Sequence, residues 1–233
     1  MTTIYFIRHG QASFGEACYD KLSHKGEQQA KILGQYLDKI LINEKPHIVA
    51  GSMQRHQQTA YISLQECFPN AQVYTNSAWN EFNHQQVFAR YDARFADPQV
   101  LKQVISQQQD PFKYLGNLFE KAVQRWVSGE YDHDYDETWL QFKHRVETAL
   151  QYLCQEISTN KPDSVLVYTS GGVISLLAGK MLDLSIEKTF ELTWAVANTS
   201  LTTLKVLDNA PYLLTLNEHY FLKAQNPQLL TWI

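Results

Sequence analysis

Arg8-His9-Gly10 follows directly on an apolar, β-rich run, Thr3 to Ile7. A histidine at that point stands at the carboxyl end of a strand, where open α/β sheets form their ligand crevice. A neutral imidazole there can attack phosphorus and split one displacement into two easier steps. That chemistry needs one ring nitrogen with a free lone pair and the other donating to a carbonyl. Arg8 would neutralise phosphate charge with its planar fork. Gly10 would let backbone come close to a substrate. Three common residues meet often by chance, so their company decides. Arg55 opens the helix after the second strand, within Ser52-Met53-Gln54-Arg55-His56-Gln57-Gln58-Thr59-Ala60, and a helix N-terminus also favours anions. Glu81, in Trp79-Asn80-Glu81-Phe82, is a carboxylic acid able to protonate a leaving oxygen and later deprotonate a water. Thr169-Ser170-Gly171-Gly172 ends another strand at a helix start, and its hydroxyls and amides, notably those of Ser170 and Gly171, suit phosphate oxygens. Gln11 and Ser13, in the first loop, are further candidate substrate contacts.

Positioning these groups takes strands that alternate with helices. Thr3 to Ile7 is apolar on both faces and reads as a buried central strand. Ser23 suits a helix N-cap with Glu27 in the first turn, and Ala30, Leu33, Leu37, Ile40 and Leu41 recur at helical spacing. His47 to Gly51 is a second strand; Ser52 suits the cap of a helix running from about Gln54 to Phe68. Gln72 to Thr75 and Ser164 to Tyr168 are further strands, the latter leading into an apolar helix, Val173 to Leu182. Leu201 to Leu207 and Tyr212 to Leu216 are late strands. The rhythm predicts a mainly parallel sheet with helices on both faces. Residues 82–136 break it with a polar, Gln-rich, helical pattern. They are expected to be an insertion forming a lid or side wall within a single domain spanning 1–233.

The chain has 233 residues, 44% hydrophobic and 19% charged, which suits a globular protein with a sizeable core. Cys18, Cys67 and Cys154 are odd in number and widely spaced, so neither a disulfide framework nor a metal cluster is expected. The acidic run around His133 reads as a solvated loop, and no metal or other cofactor is expected. A net charge of −4 without a basic tract argues against nucleic acid as partner. No apolar run reaches the roughly 18 residues of a membrane span, and the N-terminus lacks signal-peptide features, so a cytoplasmic location is expected. The oligomeric state has no sequence signature.

In order and spacing, these segments resemble the histidine phosphatase superfamily, also called phosphoglycerate mutase-like, over most of the chain. Arg8-His9-Gly10 resembles its nucleophile motif, Leu22-Ser23 to Gln29-Ala30 its first helix, and Ser52 to Ala60 its second arginine motif. Glu81 stands where the family places its acid, Gly171-Gly172 at its fourth-strand turn, and Asn198-Thr199-Ser200 resembles the segment before its late strand. The resemblance implies a three-layer α/β fold with a helical insertion near the acid. It also implies metal-free phosphoryl transfer through phosphohistidine, with a small phosphorylated compound as substrate.

One position departs from the pattern. The family's second catalytic histidine, just before the glycine pair, is Ser170 here. Serine donates a hydrogen bond but brings no charge, a loss worth roughly 1.5–3 kcal/mol. Ser170 itself serves, or another histidine (His56, His84 or His219) compensates, or the protein binds phosphorylated ligands with little turnover. Hydrolysis of a small phosphomonoester is the leading reading. A mutase would need extra basic residues to hold a bisphosphate, and the loop Gln11 to Asp20 has none.

Overall fold

The computed structural model describes residues 2–13 and 20–232; Cys18 and most of the loop Gln11 to Asp20 lie outside them. Two compact units appear, residues 1–80 with 146–233, and residues 81–145.

The first unit is built on a six-stranded sheet. In chain order its elements are β1 (Thr3–Arg8), α1 (His24–Ile40), β2 (His47–Ala50), α2 (Gln54–Cys67) and β3 (Val73–Thr75). The second unit contributes α3 (His84–Tyr91), α4 (Pro98–Ser106) and α5 (Pro111–Val127); α6 (Trp139–Asn160) begins in it and ends in the first. The first unit continues with β4 (Ser164–Thr169), α7 (Gly171–Met181), α8 (Ile186–Ala195), β5 (Leu201–Leu207), β6 (Ala210–Glu218) and α9 (Tyr220–Gln225).

The strand order is β3-β2-β4-β1-β5-β6. The first four strands are parallel, and β5 and β6 are antiparallel. All six residues of β4 are buried, which is why it reads as a continuous apolar run rather than an alternation. Along β2 and β4 the side chains of Ile48, Ala50, Leu166 and Tyr168 enter one core with Leu33 and Leu37 of α1 and Leu64 of α2. Their alternates face the other way, Val49 beside Ala149 and Leu153 of α6. This is the expected three-layer α/β arrangement. Register places Arg8 opposite Thr169, and Ala50 opposite Tyr168, so the carboxyl ends of β1, β4 and β2 lie side by side.

Helix starts follow sequence in one case and depart from it in another. Ser23 caps α1, its Oγ accepting from the Gly26 amide at 3.1 Å. Ser52 does not cap α2. The N-cap there is Met53, while Ser52 exchanges hydrogen bonds with Asn80, its amide donating to Oδ1 at 2.7 Å and its Oγ accepting from Nδ2 at 2.8 Å. The cap comes from elsewhere in the chain: Asp20 Oδ2 accepts from the Gln54 amide at 2.8 Å. A carboxylate at that helix start satisfies an orphan donor and meets the positive end of the dipole.

The second unit has its own aromatic core. Phe82 stacks on Trp126 at 4.8 Å, and Trp139 and Phe142 close around them. The Trp126 indole donates to the Glu137 carbonyl at 2.9 Å, and Arg145 pairs bidentately with Glu137. No helix among the described residues is long and apolar enough to cross a membrane.

Candidate active site

His9 leaves the end of β1 with its backbone clamped. Its amide donates to the Thr169 carbonyl at 2.9 Å, and its own carbonyl accepts from Asn198 Nδ2 at 3.1 Å. The ring is equally constrained. Nδ1 lies 2.7 Å from the Gly10 carbonyl, which has no hydrogen to give, so Nδ1 carries the proton and donates it. Nε2 therefore bears the lone pair. It accepts from Arg55 Nε at 3.2 Å. Burial first, then the charges of Arg55 and Arg8 and the neighbouring His56, hold the His9 pKa well below its ordinary value of 6.5. At neutral pH the imidazole is uncharged, the state that a nucleophile requires.

Arg55 is almost wholly buried and occupies the first turn of α2. Its Nη1 donates to Asp20 Oδ1 at 2.6 Å. Asp20 thus places a carboxylate across Arg55 and the α2 N-terminus, the combination that favours a bound anion. Asp20→Asn is expected to tighten binding of inorganic phosphate roughly fivefold, because a competing charge on the guanidinium is removed. Calorimetric titration checks this. Weaker binding in the variant would mean that the carboxylate positions Arg55 and does not compete for it.

Arg8 extends toward the end of α8 and the C-terminal segment. Its Nη1 donates to the Val196 carbonyl and, at 2.7 Å, to the Trp232 carbonyl. Its Nε lies 3.6 Å from where a Cβ on Gly171 would stand, so the guanidinium flanks the start of α7.

Ser170 is the N-cap of α7, is 1% exposed, and makes no side-chain cap bond to that helix. Its Oγ instead lies 2.6 Å from His56 Nε2. The His56 ring is fully buried, with its centroid 5.6 Å from that of His9. Burial, then the Arg55 charge, holds its pKa well below the ordinary value. Of the three histidines that might stand beside Ser170, the structure brings His56. His219 bonds through Nδ1 to the Asn217 carbonyl and stacks on Tyr220. His84 opens α3 in the other unit.

Two buried histidines with depressed pKa values link stability to pH. The unfolded chain takes up their protons below about pH 6.5 while the folded state does not, so stability present above that pH is lost as pH falls. Each withdraws on the order of 1 kcal/mol per pH unit in that window. Urea unfolding at pH 7.5, 6.5 and 5.5 is expected to give a falling free energy, with roughly half the slope in His56→Gln. A flat profile would mean that the rings are charged or exposed.

Several loop residues have structural work. A Cβ on Gly10 would stand 2.6 Å from the Gly26 carbonyl, so the close approach Gly10 permits is to α1. The Gly10 amide donates to Thr59 Oγ1 at 3.0 Å. Gln11 accepts through Oε1 from the Ser23 hydroxyl at 3.0 Å, and its amide donates to Gln29 Oε1 at 2.8 Å. The Ser13 hydroxyl donates to the Leu22 carbonyl at 3.0 Å, so that side chain serves the loop. Asn198 ties crevice loops together, with Oδ1 accepting from Thr231 Oγ1 at 2.8 Å. Glu81 begins the second unit, half-buried, its Oε1 accepting from the Phe82 amide at 3.2 Å.

Asp20, Thr59, Gln29 and Thr199 hold the framework of the site in roles that the sequence does not mark individually. Thr199 is buried with φ +58°, a costly left-handed conformation for a β-branched residue, and its amide donates to the Arg8 carbonyl at 3.0 Å. No local sequence rule marks such a residue. Among the described residues, no group of three or more His, Cys, Asp or Glu is arranged to hold a metal ion.

The family model for the histidine phosphatase superfamily (branch 1) matches residues 4–129 and 105–219. No curated protein matches the sequence. Solved structures that share the fold include a phosphoglycerate mutase from Bacillus anthracis str. Sterne, 17% identical with a TM-score of 0.64 over 95% of each chain. A phosphoserine phosphatase mutant from Entamoeba histolytica, in complex with phosphoserine, is 19% identical with a TM-score of 0.60, covering 93% of this chain and 97% of that one. A mycobacterial glucosyl-3-phosphoglycerate phosphatase is 20% identical with a TM-score of 0.60, covering 94% and 99%.

Proposed function

Because the chain belongs to the histidine phosphatase superfamily (branch 1), we propose that it hydrolyses a small phosphomonoester through a phosphohistidine on His9. The single observation that carries this reading is the state of the His9 ring. Nδ1 is committed to the Gly10 carbonyl, which puts the lone pair on Nε2; there it accepts from Arg55 Nε, a bond that gives way when the guanidinium turns to a bound phosphate.

The substrate phosphate takes the place of Asp20 on Arg55 and the α2 N-terminus, with Arg8 and the start of α7 adding positive potential. Amides at Gly171 and the Ser170 hydroxyl are further donors; Gly10 and Gln11 line the approach. His9 Nε2 then forms a bond to phosphorus as the bond to the leaving oxygen breaks. Glu81 in its acid form gives that oxygen a proton. Water attacks the phosphohistidine in the second step. Its proton passes to the Glu81 carboxylate, the P–N bond breaks, and orthophosphate departs with His9 again neutral. The site asks for one phosphoryl group: Asp20 is a single carboxylate, and the loop Gln11 to Asp20 brings no cation to hold a second phosphate.

Incubation with a ³²P-labelled phosphomonoester panel, quenched in denaturing alkali, tests the reading. Label on His9 together with release of orthophosphate is expected. Efficient interconversion of 2- and 3-phosphoglycerate would replace the phosphatase by a mutase. Neither label nor release would leave a protein that only binds phosphorylated ligands.

A further inference from the structure

We propose that His56 is a positioning residue that acts through Ser170, its Nε2–H holding Oγ so that the Ser170 hydroxyl is aimed at the transferring phosphoryl group. This rests on the phosphatase reading above and supplies what the serine at that position lacks by itself.

The steps are geometric. Ser170 Oγ is not spent on capping α7, and its close partner is His56 Nε2 at 2.6 Å. His56 Nδ1 is fully buried and, among the described residues, has no hydrogen-bond partner. Two neutral tautomers are possible. With the proton on Nδ1, an N–H would be buried without an acceptor, and orphaned buried N–H groups are the rarer and costlier kind. With the proton on Nε2, the unpartnered atom is only a lone pair, and Nε2–H donates to Ser170 Oγ. The second tautomer is the cheaper one. It also has a consequence for Ser170, whose own hydrogen must then turn away from His56. A hydroxyl that accepts from one donor is polarised as a donor to the next group. The His9 ring has its centroid 5.6 Å from that of His56, so the proposed nucleophile neighbours the His56–Ser170 pair.

The chain makes room for this ring. A Cβ on Gly51 would stand 2.2 Å from His56 Nδ1, so the glycine after β2 is what lets the imidazole lie against that backbone. His56 and Ser170 start different helices on neighbouring strands, β2 and β4, and their bond joins the first turn of α2 to the cap of α7.

Two amide variants separate positioning from packing. In His56→Gln the amide nitrogen reaches about as far as Nε2; in His56→Asn it stops near Nδ1. With p-nitrophenyl phosphate, the Gln variant is expected to keep kcat within about threefold, and the Asn variant to lose about tenfold with little change in KM. Ser170→Ala is expected to lose about 10²-fold. In that background the Gln and Asn variants should have equal kcat, because the group through which they act is gone. Equal kcat for Gln and Asn with Ser170 present, or the same ratio with and without it, would overturn the proposal while wild-type turnover leaves the phosphatase reading standing. Absence of wild-type turnover and of phosphohistidine would sink that reading itself. A measurement free of turnover adds to this: ¹⁵N-histidine spectra of the wild type should report the Nε2–H tautomer for the resonance lost in His56→Gln. An Nδ1–H pattern would overturn the assignment, whatever the variants do.

Discussion

His9→Ala is expected to abolish alkali-stable labelling and to lower kcat for p-nitrophenyl phosphate by about 10⁴-fold or more. The size follows from what is removed. On the proposed mechanism the variant loses the group that accepts the phosphoryl, so both half-reactions vanish, and binding and electrostatic help remain for direct attack by water. A factor of 10⁴ corresponds to about 5.4 kcal/mol of transition-state stabilisation. The fold should survive, because the backbone clamps on residue 9 do not use the ring: its amide still donates to Thr169 and its carbonyl still accepts from Asn198. Phosphate binding should persist for the same reason, since Arg55 and the two helix starts are unchanged. Steady-state kinetics with labelling quenched in denaturing alkali decides the matter. Hydrolysis at an unchanged rate would remove His9 from the mechanism.

Arg55→Leu is expected to lower kcat/KM by roughly 10²–10³-fold, the range typical of one buried, preorganised donor to a transition state. Arg55 touches three parts of the site at once: Nε donates to His9, Nη1 to Asp20, and the side chain stands at the α2 N-terminus. Losing it weakens the proposed phosphate site, leaves Asp20 without its charge partner, and takes away one of the causes that lower the His9 pKa. Arg55→Lys should recover only a small part. An ammonium restores the charge but not the fork that engages His9 and an anion together. Kinetics and phosphate calorimetry on both variants test this. A loss under threefold in Arg55→Leu, or full recovery in Arg55→Lys, would mean that the guanidinium is structural.

Much of this was legible from local pattern. Thr3 to Arg8 and Ser164 to Thr169 are strands because apolar and β-branched residues fill both faces, and α1 begins at Ser23 because a hydroxyl there satisfies an orphan amide. Arg8-His9-Gly10 and Ser170-Gly171-Gly172 stand at the carboxyl ends of parallel strands, where open α/β sheets form their ligand crevice, and the second of them opens a helix whose first amides are free donors. The start of α2 was misread at the level of its cap. Ser52 has the right chemistry, but Asn80 claims it, and Asp20 caps from 34 residues away. Gly10 also has a packing role that no local pattern marks: a Cβ there would meet the Gly26 carbonyl of α1.

The sequence by itself therefore determined the strands, their order along the chain, and the place of His9 at the end of β1. Those follow from spacings of two and four residues, which act within one element. The tertiary structure alone decided the ring state and company of His9, the hold of Asp20 on Arg55, and which histidine stands beside Ser170. His56 and Ser170 are 114 residues apart, and they meet at 2.6 Å because β2 and β4 are neighbours in a sheet whose strand order does not follow the chain. A hydrogen bond depends on tenths of an ångström between side chains, and only the packed sheet with its crossovers sets distances that fine.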